Sequence, residues 1–133
     1  MKVLVGMDIQ PIHEVEASLT NFGARYGRLI YTAHELRDCG ANARSATKLA
    51  ERFAAKEAVL KILDLGDTVP PWRFIEVKEG SSGGPEIALH SSAADLAQRQ
   101  GIQNFTVSLS HAGGVATAAV VAEVMSETEE PRS

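Results

Sequence analysis

Residues Ser45 to Leu65 carry the longest helical pattern in the chain, with Gly66 as its stop, and whatever else folds must pack around that rod. At about 3.6 residues per turn, Glu57 and Lys61 lie one above the other on one face. Ala50 and Ala54 complete that stripe and are expected to leave space above the backbone. Leu49, Phe53, Leu60 and Leu63 fall on an adjoining arc that should dock on the core, which puts Glu57 at the border between core and groove. Glutamate followed four residues later by lysine is also the ordinary order of a surface ion pair, worth about 0.2–0.5 kcal/mol. The two ends of the chain decide between these readings.

At the N-terminal end, Val3, Val5, Met7 and Ile9 alternate with Leu4, Gly6 and Asp8, so residues 2–9 read as a buried strand that Pro11 ends. Asp8 then stands at the strand's carboxyl end. An acid there must be paired, hold a metal, open on a cleft, or cap the helix that starts near Ile12. That helix runs over residues 12–22, and Gly23 stops it. Thr32 to Glu35 has the pattern of a capping box opening a short helix through Cys39. Trp72 to Lys78 and Glu86 to Leu89 read as a hairpin around a Gly- and Ser-rich loop, and residues 91–100 as a helix. Near the C-terminal end Phe105, Val107 and Leu109 alternate with Thr106, Ser108 and Ser110. The segment His111-Ala112-Gly113-Gly114 then turns the chain into an apolar strand from Val115 to Val124.

A chain of 133 residues with 44% hydrophobic content closes one core, so residues 1–125 are expected to form a single domain. Residues 126–133, with Glu127, Glu129, Glu130 and Pro131, read as a disordered acidic tail. The net charge of -4 and pI near 5.5 argue against a nucleic-acid binder. A lone cysteine, Cys39, forms no internal disulfide, and no apolar run suits a signal peptide or membrane span. A soluble cytoplasmic protein is the expectation.

If Asp8 and Glu57 converge, two carboxylates with open positions make an oxygen-rich site suited to Mg²⁺, which keeps several waters and takes oxygens from a phosphate. Lys61, one turn beyond Glu57, would neutralise phosphate charge, and Arg52 and Lys56 would add donors from the same helix. Ser110, His111 and the amides of Gly113 and Gly114 would hold a second anionic group. Ser110 and His111, being adjacent on a strand, point to opposite faces and make no nucleophile and base pair. No Gly-rich phosphate loop precedes a helix.

Three stretches together carry a resemblance. Gly6-Met7-Asp8-Ile9, Arg52-Phe53-Ala54-Ala55-Lys56-Glu57-Ala58 with Lys61, and Val107-Ser108-Leu109-Ser110-His111 resemble, in order and spacing, the signature stretches of the holo-acyl-carrier-protein synthase family of small bacterial 4'-phosphopantetheinyl transferases. The resemblance spans Met1 to Val124. It implies an α+β fold with an antiparallel-rich sheet packed against a long central helix, and a trimer of identical subunits with coenzyme A in the clefts between neighbours. By position, Asp8 and Glu57 match the family's metal-binding acids, Lys61 its diphosphate-contacting lysine, and Ser110 with His111 its coenzyme A-binding pair. The implied reaction is attack by a serine of an apo acyl carrier protein, or of a synthase carrier domain, on the β-phosphate of coenzyme A. It releases adenosine 3',5'-bisphosphate, with a water near the metal or Glu57 taking the serine proton. A paralogue that binds the carrier or coenzyme A without turnover is the alternative.

Two positions depart from the family pattern. Gly83-Gly84-Pro85 stands where a basic residue usually precedes the proline, leaving backbone and Pro85 as the loop's contacts with coenzyme A. The first helix begins His13-Glu14-Val15-Glu16, which opposes an acidic carrier, so Arg25, Arg28 and Arg37 become the alternative contacts, or the carrier is less acidic.

Overall fold

A computed structural model describes residues 1–125; the expected acidic tail lies outside the described residues. Strand β1 (Lys2–Pro11) leads into α1 (Ile12–Phe22), α2 (Ala24–Ile30) and α3 (Ala33–Cys39). A 3₁₀ turn (Ala43–Ser45) opens the central helix α4 (Ala46–Ile62). A second 3₁₀ turn (Trp72–Phe74), the hairpin β2 (Ile75–Glu79) and β3 (Pro85–Leu89), helix α5 (Ser91–Arg99) and the long hairpin β4 (Ile102–Ala112) and β5 (Val115–Val124) complete the α+β fold. All the strand pairings described are antiparallel. One sheet has the order β1-β5-β4, with the chain's last strand in the middle; β2 and β3 form the other.

Helix α4 lies on the inner face of the three-stranded sheet, and its alanines explain how. Ala50, Ala54, Ala55 and Ala58 are fully buried. They do not leave open space above the helix; they let the sheet press against it. The closest approach is at Gly6, where a Cβ would stand 2.2 Å from the carbonyl oxygen of Ala58. That contact fixes the facing of β1. With Gly6 inward, Leu4, Asp8 and Gln10 face α4, and period two sends Val3, Val5, Met7 and Ile9 outward. The expected buried strand therefore exposes its apolar row, from 57% at Val3 to 64% at Ile9.

Other differences have local causes. Helix α2 is short and contains a glycine, so it shows no apolar period in the sequence. Residues 72–74 coil before β2 begins. Strand β4 starts at Ile102, before the expected Phe105. Asn104, at φ 57°, accommodates a register shift between Gln103 and Thr106. Only Gly113 and Gly114 make the turn after β4, both at positive φ, so His111 belongs to the strand. Pro11 occupies the cap position of α1, so Asp8 is not its cap. The capping box at Thr32 and Glu35 forms as expected.

Candidate active site

Asp8 and Lys61 meet at the border of α4 and β1. The Lys61 ammonium donates to Asp8 Oδ1 at 2.8 Å and to the Met7 carbonyl at 2.7 Å. Asp8 Oδ2 is buried with no hydrogen-bond partner. Glu57, one turn before Lys61, faces the same carboxylate. Its carboxyl is pushed up to about 7, first by desolvation, then by the Asp8 carboxylate beside it, with Lys61 pulling the other way.

Two carboxylates crowded together, one with an orphaned buried oxygen, fit a divalent cation. Binding would satisfy that oxygen and cancel the repulsion. Among the described residues no group of three or more His, Cys, Asp or Glu is placed to hold a metal. Asp8 and Glu57 would therefore leave most positions to water and substrate oxygens, which suits Mg²⁺.

The remaining predicted residues do not join this cluster. Arg52 stands five residues before Glu57, about 140° around the helix. It is mostly buried, with Nη2 3.7 Å from Glu79 and Nε unpartnered. Pro85 pairs with that same Glu79 across the β2–β3 hairpin, so Arg52 and Pro85 share a corner on the far flank of α4. His111 lies on outer strand β4, separated from outer strand β1 by β5, about 10 Å across two strand spacings. Its Nδ1 is 3.4 Å from Glu51 of α4. Ser110, opposite Thr117, points to the other face of the sheet, the one that carries Ile9. Cavities of about 520 and 500 Å³ lie against α5, and neither is lined by Asp8, Glu57 or Lys61.

Lys56 is the correction. It was expected as a donor to coenzyme A, but its side chain is completely buried. Its ammonium donates to Glu35 at 2.8 Å and to the carbonyls of Trp72 and Ile75. All three of its protons are engaged. Glu35 in turn accepts from the backbone N–H of Thr32 and of Val77. Lys56 thus ties α3, α4 and the start of β2 together and presents nothing to a ligand. Burial pushes its ammonium below the usual lysine range, and the facing Glu35 carboxylate offsets only part of that. Sequence reading saw Glu35 only as a helix cap. The signal was available: a lysine among alanines that all face inward needs a buried anion.

The chain matches the 4'-phosphopantetheinyl transferase superfamily over residues 4–120. It is 38% identical to the holo-[acyl-carrier-protein] synthase of Desulforudis audaxviator, over 94% of this chain and 95% of the relative. It is 38% identical to that of Moorella thermoacetica, over 89% and 91%. Among solved structures, the Chronobacterium ammoniagenes ACPS-CoA complex superposes with a TM-score of 0.78 at 25% identity, covering 95% of this chain and all of that one. The holo-[acyl-carrier-protein] synthase of Neisseria meningitidis gives 0.76 at 29% identity, covering 90% and 96%.

Proposed function

The chain belongs to the 4'-phosphopantetheinyl transferase superfamily, and on that premise we propose that it transfers the 4'-phosphopantetheine group of coenzyme A to a serine of an acyl carrier protein or synthase carrier domain. The observation that carries this reading is the cluster of Asp8, with its unpartnered buried oxygen, Glu57 and Lys61.

In this reading Asp8 and Glu57 hold Mg²⁺, which when bound neutralises charge on the diphosphate. Lys61, now donating to Asp8 and Met7, turns to a phosphate oxygen and stabilises the charge that develops on adenosine 3',5'-bisphosphate as the P–O bond to it breaks. The carrier serine oxygen forms the new P–O bond, and water takes its proton. Glu57, which would hold the cation, would be a poor proton acceptor.

The site is shared between subunits of a homotrimer. Two features support this. The cluster at β1 and the residues Arg52, Pro85 and His111 lie on different flanks of α4, which leaves the flank at Asp8 open for a neighbouring copy to complete. The exposed row Val3, Val5, Met7 and Ile9, continued by Val121, gives the outer sheet face an apolar surface suited to a neighbouring copy. The carrier docks on α1 and α2, where Phe22 and Leu29 are exposed at 63% and 68% beside Arg25 and Arg28. Those arginines offset Glu14 and Glu16 toward an acidic partner. The compartment is the cytoplasm, in keeping with the free Cys39. No helix among the described residues is long and apolar enough to cross a membrane.

Mass spectrometry of an apo carrier incubated with coenzyme A and Mg²⁺ tests the function. The carrier should gain the phosphopantetheine mass with the wild-type chain, and at least a hundredfold more slowly with Asp8→Ala. A folded wild-type chain that binds coenzyme A and leaves the carrier unmodified would make it the non-catalytic paralogue.

A further inference from the structure

Glu51 has no part in the cluster at Asp8, yet it is held in a definite place. It stands on α4 six residues before Glu57, about 120° around the axis, facing outer strand β4. Its side chain is 12% exposed, against 56% for His111, whose Nδ1 it meets at 3.4 Å. Strand and helix both fix this meeting. His111 shares the inner face with its partner Ala116, which is fully buried.

We propose that Glu51 is a positioning residue for coenzyme A binding: it accepts from His111 Nδ1–H, so that Nε2 is the atom the ring turns outward to the ligand. This rests on the reading that His111 contacts coenzyme A. The chemistry follows from what each group can do. An ionised carboxylate only accepts, so Nδ1 must carry a hydrogen. That selects the tautomer and restrains the ring about its Cβ–Cγ bond, as the partner of one imidazole nitrogen sets the role of the other. Nε2 is then left for a phosphate oxygen, to which it donates when the ring is doubly protonated, with Glu51 still accepting from Nδ1. The contact is long, as such bonds often are before a ligand tightens them.

Two independent measurements test it. Long-range ¹H–¹⁵N spectra, with the His111 signals assigned by their loss in His111→Ala, should show the hydrogen on Nδ1 in the neutral wild-type ring. In Glu51→Ala the ring should become a mixture of tautomers, and Glu51→Gln, whose amide oxygen still accepts, should restore the wild-type pattern. In steady-state transfer, Glu51→Ala should raise KM for coenzyme A about tenfold with kcat within about twofold, and Glu51→Gln should recover most of the loss. In a His111→Ala background, Glu51→Ala should add nothing. An unchanged tautomer in Glu51→Ala, an unchanged KM, or an equal rise in KM without His111 would each overturn the proposal. Failure of the wild-type chain to use coenzyme A would instead overturn the functional reading, and the tautomer spectra would still decide whether Glu51 sets the ring.

Discussion

Glu57 shows how one carboxyl group can record the presence of another. Desolvation, and then the Asp8 carboxylate beside it, raise it from an ordinary 4.5 to about 7. The folded chain therefore holds this proton more tightly than the unfolded chain does. The stability that results is fully present below about pH 4.5 and is lost as pH rises through about 7. Glu57→Gln removes the penalty above that window. In metal-free buffer at pH 8 it should melt higher than wild type by roughly 3 °C, after screening reduces the gain to about 1 kcal/mol. Added Mg²⁺ should raise the wild-type melting temperature and not that of Glu57→Gln. A thermal scan at pH 5 and pH 8, with and without Mg²⁺, checks both. At this scale the spacing of Glu57 and Lys61 was legible, since a helix turn puts them together. The flanking alanines signalled the burial of Lys56, but not its partner: Glu35 is distant in sequence and joins it only through packing.

Gly6 and Ala58 set how closely the first strand and central helix approach, and so whether Asp8 reaches Glu57. In Gly6→Ala the new methyl meets the Ala58 carbonyl, a backbone atom that cannot rotate away. The strand must lift, at about 3 kcal/mol of stability and with transfer activity reduced more than tenfold. Urea denaturation and the carrier assay check the two effects. Helices with an apolar period, such as α1 and α5, or a capping box, such as α3, were readable from local sequence, as were the strands of alternating pattern. The facing of β1 was not: an apolar row at period two ordinarily points to the core. Here the glycine, alternating with that row, claims the inner side because no other residue permits the contact.

At the scale of the whole molecule, the outward apolar row is what a monomer would hide. Ile9→Asp places a charge in that row while leaving Asp8, Glu57 and Lys61 in place. It should sediment as a monomer and lose at least tenfold in transfer rate; a trimer of normal activity would count against the shared site. Mixing Asp8→Ala and His111→Ala chains gives a sharper check. With coenzyme A held well below the wild-type KM each alone should be slow, and unfolded and refolded together in equal amounts they should recover about a quarter of the wild-type rate, the share of interfaces with both residues intact. The outward facing of that row was not derivable from patterning, which locates apolar residues without saying which side of a sheet they cover.

Strand order has a further consequence, in time rather than in space. Among the described strands β1 pairs with β5 alone, Lys2 lying opposite Val124, so the sheet's first strand must wait for nearly all the chain to follow it from the ribosome. At about 5–20 residues per second that wait is on the order of ten seconds, during which Val3, Val5, Met7 and Ile9 have neither sheet nor neighbour. The nascent segment most open to chaperone capture or misassociation is therefore the one that later carries both Asp8 and the outward apolar row.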